Sequence, residues 1–280
     1  MDGTIGRMLL EELESETDSR SEVFPIPEEG SEDTLIRSYM NVRLPVPAGE
    51  RLLDLQDRYL ASKMRERGIV EADSIPPVSQ SLQSHAPFSD RICIWQGDIT
   101  RLRCDAIVNA ANSGMLGCFQ PCHACIDNCI HTYAGIQLRL ECARRMEALM
   151  AEHGNGYVQP TAVPMLTDAY NLPCRKVVHV VGPIVYGPLD QGCEDDLAAC
   201  YRNVLDTCAE NGLRTVAFCC ISTGVFRFPN RRAAEIAIET VRSWLEKNDG
   251  KIDKVIFNVF LDKDRCIYEE LLRRDARRVP

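Results

Sequence analysis

From Arg91 to the C-terminus, short apolar runs rich in β-branched residues alternate with longer amphipathic stretches. This alternation is typical of an α/β fold, because parallel strands must be joined by helical crossovers. We therefore predict a three-layer α/β/α domain with a largely parallel sheet over residues 86–280. The expected strands are RICIW, CDAIVNAA, TAVPML, KVVHVVGPIV, RTVAFCCIS and KVIFNVF, and the expected helices are Asp127 to Met150, Glu194 to Asn211, Arg231 to Glu246 and Asp262 to Arg274.

The first 85 residues follow a different pattern. After an acidic, mixed start over residues 1–30, apolar side chains recur at helical spacing in DTLIRSYMNV and in RLLDLQDRYLASKMRERG, and Gly68 ends the second stretch. The following EADSIPPVSQSLQSHAPFSD is rich in Pro and Ser, which is typical of a linker or an irregular wrap. We predict an N-terminal helical extension and linker over residues 1–85.

The charge of the chain argues against some partners. Its 280 residues carry a formal net charge of −9, from 32 basic and 41 acidic side chains. An acidic protein is a poor candidate for binding nucleic acid, and the basic LLRRDARR near the C-terminus is typical of a solvated helix end. No apolar run approaches the length of a membrane span, and the start MDGTIGRMLLEELESETDSR does not resemble a signal peptide. We expect a cytoplasmic protein without nucleic-acid or membrane partners.

Cysteine is abundant, with fourteen in the chain. Without an export signal they are expected to stay reduced, and cytosolic cysteine clusters more often bind metals or act in catalysis. The densest cluster is GCFQPCHACIDNCIH, in which Cys118, His123 and Cys125 form a C-x4-H-x-C pattern. Thiolate and imidazole together favour zinc, and three protein ligands would leave one tetrahedral position open, as in catalytic zinc sites.

The other residues of this cluster leave alternatives open. Cys122 would supply a fourth ligand only if adjacent Cys122 and His123 both turned toward one ion. Cys129 and His131 fall in a predicted helix, where packing is expected. The whole cluster is also compatible with inert small side chains in a tight loop, although the cytosolic context and the density of cysteine favour zinc.

Polar turns follow three of the predicted strands, and ligands of parallel sheets bind at the carboxyl ends of the strands. In WQGDIT, Asp98 would accept hydrogen bonds from a ligand amino group or cap a plain turn. In VNAANSGMLG, the Asn112 amide suits a sugar diol, or the residue simply tolerates a left-handed turn. In CCISTGVFRFPN, successive N–H groups at Ser222, Thr223 and Gly224 suit a diphosphate, without the Gly-Lys-Ser/Thr ending of a P-loop.

Three segments follow one another in order: WQGDITRLRCDAIVNAAN, GCFQPCHACIDNCIHTYAGIQLR and ISTGVFRFP. Together they resemble the macrodomain family, and more narrowly its zinc-containing members, which are protein mono-ADP-ribosyl hydrolases of bacteria and some fungi. The resemblance covers residues 91–275, and the upstream RSYMNVRLPVPAGERLLDLQDRYL resembles the helical extension of that subclass. It implies a twisted, mixed sheet between helices, with ADP-ribose in a cleft over the strand ends.

The resemblance also implies a role for each of the strand-end turns. Asp98 would bind the adenine amino group, with the Ile99 backbone beside it, and Asn112 would hold the distal ribose. Phe226 would lie against that ribose. The diphosphate would lie in the loop made of Ser222, Thr223, Gly224, Val225 and Phe226.

By the same resemblance, Cys118, His123 and Cys125 would bind zinc close to the distal ribose. Asp127 matches an acidic position that hydrolytic macrodomains place in a Gly-rich loop, but FQPCHAC stands here instead of those glycines. The usual mechanism of the family therefore does not transfer directly. We predict that Asn112 and Asp127 are catalytic, because Asn112 would orient the ribose and Asp127 would orient or deprotonate a water.

These observations predict a zinc-dependent hydrolase that removes mono-ADP-ribose from modified proteins, with an acidic side chain as the linkage. One alternative is a non-catalytic ADP-ribose-binding module in which zinc is structural. A further alternative is a zinc-stabilised interaction or redox protein that binds no nucleotide.

Overall fold

The structure is a computed structural model that describes residues 2–16 and 25–274. The last arginines of LLRRDARR lie outside these residues. In chain order the helices and strands are α1 (Asp2–Ser15), α2 (Glu32–Val42), α3 (Glu50–Arg67), β1 (Val70–Glu71), α4 (Val78–Ser81), β2 (Ile92–Gln96), β3 (Leu102–Arg103), β4 (Ala106–Ala111), α5 (Ile126–Ala134), α6 (Ile136–His153), β5 (Met165–Asp168), β6 (Lys176–Val181), α7 (Gln191–Glu210), β7 (Thr215–Phe218), α8 (Asn230–Lys247), β8 (Lys254–Val259) and α9 (Asp262–Arg274).

The chain forms two compact units, and each is assembled from separate chain segments. Unit 1 contains Met1–Ile69, Gly114–Val158 and Thr167–Pro173, and unit 2 contains Val70–Ser113, Gln159–Leu166 and Cys174–Pro280. The two units therefore do not follow the chain order, whereas the sequence predicts a single boundary after residue 85. That division into an extension and an α/β domain stays a prediction.

The core of unit 1 is built mainly from its first three helices. Both predicted amphipathic stretches are helical, and the Ser31 hydroxyl caps α2 by accepting from the Thr34 N–H at 3.2 Å. Gly68, with φ of +72°, ends α3. Apolar side chains from α1, α2 and α3 pack together with one residue of α6 and bury Leu9, Leu13, Ile36, Met40, Leu52, Leu55, Tyr59, Leu60 and Ile136.

The single helix expected from Asp127 to Met150 is wrong, because the chain breaks at Gly135 into α5 and α6. Gly135 has φ of +96°, a conformation that favours glycine. The Gln56 side-chain carbonyl accepts from the Ile136 N–H at 2.8 Å, which satisfies a donor at the start of α6. A Cβ at residue 135 would lie 2.7 Å from the Gln56 amide nitrogen. The break is therefore fixed by a glycine and by a glutamine of α3.

The six-stranded sheet has the strand order β2-β8-β7-β4-β6-β5, and its strands β2, β4, β6, β7 and β8 lie entirely in unit 2. The pairs β2–β8, β8–β7, β7–β4 and β4–β6 are parallel. Helix α7 packs against β6 and α8, and α9 packs against β2 and β8. The predicted class is confirmed: the fold is α/β, with a mixed, mostly parallel sheet and helices on both sides. The strand expected at TAVPML starts later, at Met165, because the preceding proline has no N–H for a strand ladder.

The amino ends of neighbouring strands are joined by Asp105. Its carboxylate contacts the Arg175 guanidinium at 2.7 Å and accepts from the N–H groups of Arg214 at 2.8 Å and Thr215 at 3.0 Å. Burial alone would raise the pKa of Asp105, but these donors outweigh it and lower the pKa. The ionised carboxylate thus holds the starts of β6 and β7 beside β4.

The Pro- and Ser-rich segment after α3 is an irregular wrap within unit 2. Ile75 and Val78 are buried, and the Lys254 ammonium donates to the carbonyls of Ala72 at 2.9 Å and Ile75 at 3.3 Å. Among the described residues, no helix combines the length and the apolar character that crossing a membrane requires.

Candidate metal centre and nucleotide-binding loops

The structure of unit 1 brings together the three residues predicted as zinc ligands. The sulfur atoms of Cys118 and Cys125 and a ring nitrogen of His123 all lie within 4.8 Å of one another. The Cys118 sulfur is 3.5 Å from His123 Nδ1, and all three side chains are half-buried. Two thiols and an imidazole are a donor set that zinc prefers. The residues present therefore fit this metal.

The protonation of the two thiols differs. The pKa of Cys118 is lowered, first by the hydrogen bond that Cys125 donates to its sulfur and also by the Gln120 N–H and by His123, and burial only partly opposes this. The pKa of Cys125 is raised by the same hydrogen bond and by burial. The shared hydrogen bond thus favours a thiolate at one sulfur of the pair, and the thiolate is the form that binds a metal.

Asn128 organises the backbone around these ligands. Its side chain is buried, and its amide nitrogen donates to the carbonyls of Cys118 at 3.3 Å and Gln120 at 2.9 Å. Its backbone N–H donates to the Cys125 sulfur at 3.4 Å, which makes Cys125 the N-cap of α5. One asparagine thus contacts the chain at both thiol ligands.

Arg37 of α2 contacts the same loop. Its guanidinium donates to the His123 carbonyl at 2.9 Å and to the Asn128 side-chain oxygen at 2.7 and 3.2 Å. Neither Arg37 nor Asn128 was predicted from the sequence. The position of Asn128 close to the cysteines in the sequence was a weak signal of a role at this site. Arg37 gave no such signal, because it lies far from the cysteines in the chain.

Cys122 points away from the other thiols and against α2. Its φ is +52°, its sulfur lies 3.3 Å from the Ser38 hydroxyl and 3.5 Å from the Thr34 carbonyl, and its N–H donates to the Asn41 side-chain oxygen at 2.9 Å. Cys122 is thus held by α2 and does not belong to the group of three ligand atoms.

Asp127 lies in the first turn of α5 and is buried. One turn later, His131 Nε2 is 3.6 Å from its carboxylate. The His131 ring packs on Gly117, whose φ is +79° and where a Cβ would lie 2.8 Å from ring atoms. His131 therefore packs as expected, and its ring adjoins the carboxylate of Asp127, which is predicted to orient or deprotonate a water.

The polar turns of unit 2 follow three parallel strands of the same sheet. Asp98 comes after β2, Asn112 directly follows β4, and the loop beginning at Ser222 comes after β7. The carboxyl ends of these strands lie at one edge of the sheet, since all are parallel. This is the edge where α/β sheets bind ligands.

Asp98 caps the short 3₁₀ turn at Ile99–Arg101. One carboxylate oxygen accepts from the Thr100 N–H at 2.9 Å and from its hydroxyl at 2.6 Å, and Ile99 is buried. The turn itself is held by Asn258, whose amide donates to the Gly97 carbonyl at 2.9 Å. The cap is therefore present, and the adenine contact of Asp98 stays a prediction.

The loop after β7 exposes backbone donors. Ser222 has φ of +64°, and the Phe226 carbonyl accepts from the Val185 N–H at 2.9 Å, which anchors the far side of the loop. For the N–H groups of Gly224, Val225 and Phe226, the part of the chain that the structure describes offers no acceptor. Gly224 and Val225 are exposed and Phe226 is half-buried. Such neighbouring free amides are able to surround an anion.

Apolar side chains are also exposed at the strand ends of unit 2. Phe260 follows β8 directly and is 72% exposed, and Val225 is 71% exposed. Exposed aromatic side chains beside a ligand site offer a stacking surface. Sequence reasoning missed Phe260, although an aromatic residue at the end of a predicted strand is a usable signal. Asn112 is half-buried at the same edge.

Comparisons with known proteins agree with this fold. A family model described as Macro domain matches residues 108–237. A protein from Treponema medium named Protein-ADP-ribose hydrolase is 48% identical over 246 residues, which cover 88% of this chain and 89% of that protein. The chain belongs to the macrodomain family. A Protein-ADP-ribose hydrolase from Staphylococcus aureus is 43% identical to this macrodomain chain, over 86% of the chain and 85% of the relative.

A solved structure extends the comparison to a bound ligand. The Trypanosoma brucei macrodomain in complex with ADP-ribose is 29% identical to this macrodomain chain, with a TM-score of 0.60, and the match covers 88% of this chain and 97% of that one.

Proposed function

We propose that this macrodomain is a zinc-dependent hydrolase that removes mono-ADP-ribose from modified proteins, with an acidic side chain as the linkage. The hydrolase class is supported by relatives at 43–48% identity that carry the name Protein-ADP-ribose hydrolase. The observation that carries zinc dependence is the group of three ligand atoms within 4.8 Å of one another.

The strand-end loops of unit 2 would bind ADP-ribose. The N–H groups of Gly224, Val225 and Phe226 would donate to the diphosphate, since amides fixed in one loop bind anions without reorganisation. The Asn112 amide would donate to and accept from a ribose diol. Asp98 would accept from the adenine amino group.

The metal would be held by Cys118, His123 and Cys125. When bound, zinc supplies Lewis-acid polarisation of an oxygen or a lowered pKa for water. Asp127 would orient a water and accept its proton, because its carboxylate is buried and fixed in the first turn of α5. The His131 ring, 3.6 Å away, would restrict the orientation of that carboxylate.

Zinc dependence is tested with two cysteines of one loop. Cys125→Ser should lose stoichiometric zinc and release of ADP-ribose from an aspartate-linked protein. Cys122→Ser is the matched control, because its thiol contacts α2 and not the ligand group, and it should keep both. Zinc is measured by metal analysis and hydrolysis by ADP-ribose release with and without a chelator. Hydrolysis at the parent rate by zinc-free protein would contradict the proposal.

The role of Asp127 and the linkage have separate tests. Asp127→Asn should bind ADP-ribose like the parent and hydrolyse slowly, and an undiminished rate would reduce the residue to a structural role in α5. Proteins linked to ADP-ribose through aspartate, serine or arginine, assayed in parallel, identify the linkage. Cleavage of only serine- or arginine-linked protein would contradict the acidic linkage.

Binding without hydrolysis would favour the alternative of a non-catalytic module with structural zinc. ADP-ribose at 100 times its dissociation constant should stabilise the folded chain by about 2.7 kcal/mol in both cases. The absence of any stabilisation would favour a protein without a nucleotide ligand.

A further inference from the structure

Helix α2 provides contacts to the loop that carries the predicted metal ligands. We propose that Arg37 is a positioning residue for the three ligands, acting from α2 through the His123 carbonyl and through Asn128. The inference rests on the proposed zinc site and deepens it, because it identifies which part of the chain keeps the ligand atoms together.

The loop from Cys118 to Cys125 has little support of its own. It forms neither helix nor strand, and the backbone bond from the His123 N–H to the Gln120 carbonyl, at 3.2 Å, lies at the long end of the normal range. The Asn128 side chain supplies what the backbone lacks, because it donates to the carbonyls of Cys118 and Gln120. The positions of the ligands therefore depend on how firmly the Asn128 amide is held.

Arg37 holds that amide from the other side. Its Nε and Nη2 atoms both donate to the Asn128 side-chain oxygen, so the amide nitrogen must face the loop carbonyls. The same Nη2 donates to the His123 carbonyl at 2.9 Å. One planar guanidinium thus fixes the orientation of Asn128 and the backbone of a ligand residue, a geometry that a single ammonium does not reproduce.

The partners of Arg37 distinguish it from ordinary surface arginines. Over residues 2–16 and 25–274 no carboxylate pairs with Arg37, whereas Arg43 pairs with Glu16 at 2.7 Å and Arg58 with Asp54 at 3.3 Å. Hydrogen bonds from a charged donor are stronger than those between neutral groups. The hydrogen bonds of Arg37 described above all go to the His123 carbonyl in the loop and to the Asn128 side chain.

The experiment compares Arg37→Met with Arg43→Met in the full chain. Arg43 lies at the end of the same helix and is buried, but it binds Glu16 and the Val46 carbonyl, and within the described residues its side chain makes no hydrogen bond to the loop. Zinc affinity is measured by competition with a chromophoric chelator, and the absorption spectrum of the Co²⁺-substituted protein reports the geometry of the ligands. Thermal unfolding of the metal-free protein reports general stability.

Arg37→Met should weaken zinc binding by about 10- to 100-fold, the usual effect of removing a group that orients metal ligands, and should alter the Co²⁺ spectrum. Arg43→Met should lower the unfolding temperature and leave zinc affinity and spectrum unchanged. If the parent protein binds no stoichiometric zinc, the proposed zinc function fails and this inference fails with it. If the parent binds zinc and Arg37→Met binds it equally well, only this inference fails.

A second variant decides the matter if Arg37→Met does not fold. Arg37→Lys keeps the positive charge but cannot donate in a planar fork. It should bind zinc more weakly than the parent and should alter the Co²⁺ spectrum. Parent-like zinc affinity and a parent-like Co²⁺ spectrum in Arg37→Lys would overturn the argument from guanidinium geometry.

Discussion

Gly182→Ala should weaken ADP-ribose binding, although residue 182 donates nothing to the ligand in the proposed function. Gly182 follows β6, and a Cβ there would lie 2.1 Å from the Ser222 hydroxyl oxygen and 2.8 Å from an Ile221 methyl carbon. Rotation of the Ser222 side chain would relieve only the first contact. Because Ile221 is fully buried, the backbone of the loop after β7 must move.

The size of the effect follows from the donors in that loop. Overpacking of this kind costs about 1–3 kcal/mol of folding free energy, or about 2–4 °C in melting temperature for each kcal/mol. Moving one loop N–H away from a charged phosphate removes a hydrogen bond worth about 1.5–3 kcal/mol, which is roughly 10- to 150-fold in the dissociation constant of ADP-ribose. The dissociation constant of ADP-ribose should therefore rise by more than the loss of folding free energy alone would cause.

Calorimetric titration with ADP-ribose measures the affinity, and thermal unfolding measures the strain. Gly187→Ala is the matched control, since Gly187 lies in the same connection and is exposed, and no atom of the described residues lies within 4 Å of its built Cβ. It should bind ADP-ribose like the parent. A lowered melting temperature with unchanged affinity in Gly182→Ala would refute the reasoning, because the strain would be present without moving the donors.

Three further substitutions test separate features. Asp105→Asn should cost roughly 1 kcal/mol at neutral pH. Despite burial, the Arg175 guanidinium and two backbone N–H groups lower its pKa in the folded chain below the ordinary value of an aspartate. Urea unfolding should therefore show this cost above about pH 4, the unfolded-state pKa, and its loss as the pH falls through the folded-state pKa; a pH-independent cost would contradict this. Gly135→Ala should lower the free energy of unfolding by about 1–3 kcal/mol. The loss should exceed that of Gly154→Ala, because Gly154 also has positive φ but no described residue lies near its built Cβ as Gln56 does at Gly135. Equal losses would show that the contact with Gln56 adds nothing to the cost. Phe260→Ser should weaken ADP-ribose binding by about 5- to 150-fold if the adenine stacks there, and equal affinity in a titration would exclude stacking.

Local sequence signals predicted much of the fold and of the candidate sites. The alternation of strands and helices was sufficient for the α/β class, because it reflects how parallel strands are connected. The C-x4-H-x-C pattern predicted Cys118, His123 and Cys125 as a group, and the structure brings their ligand atoms together. The pattern is short, so the chain between these residues has few ways to separate them.

Features that depend on distant residues were not predictable. Arg37 contacts Asn128 across 91 positions of the chain, and no local pattern marks such a pair. The break at Gly135 was hidden because both α5 and α6 bury apolar side chains, so the helical periodicity continues past the glycine. Cys122 was ambiguous because its direction depends on a positive φ and on contacts with α2.

The assembly of unit 1 from three chain segments sets an order of events during synthesis. Helices α1 to α3 leave the ribosome before the other two segments of unit 1, and their mutual apolar contacts are close in sequence, so we expect them to associate early. The face of α2 that carries Arg37, Ser38 and Asn41 lacks its contacts with the cysteine loop until that loop is translated, more than 80 positions later. A fragment limited to the family match at residues 108–237 would contain the three proposed zinc ligands and would lack the face of α2 that contacts their loop.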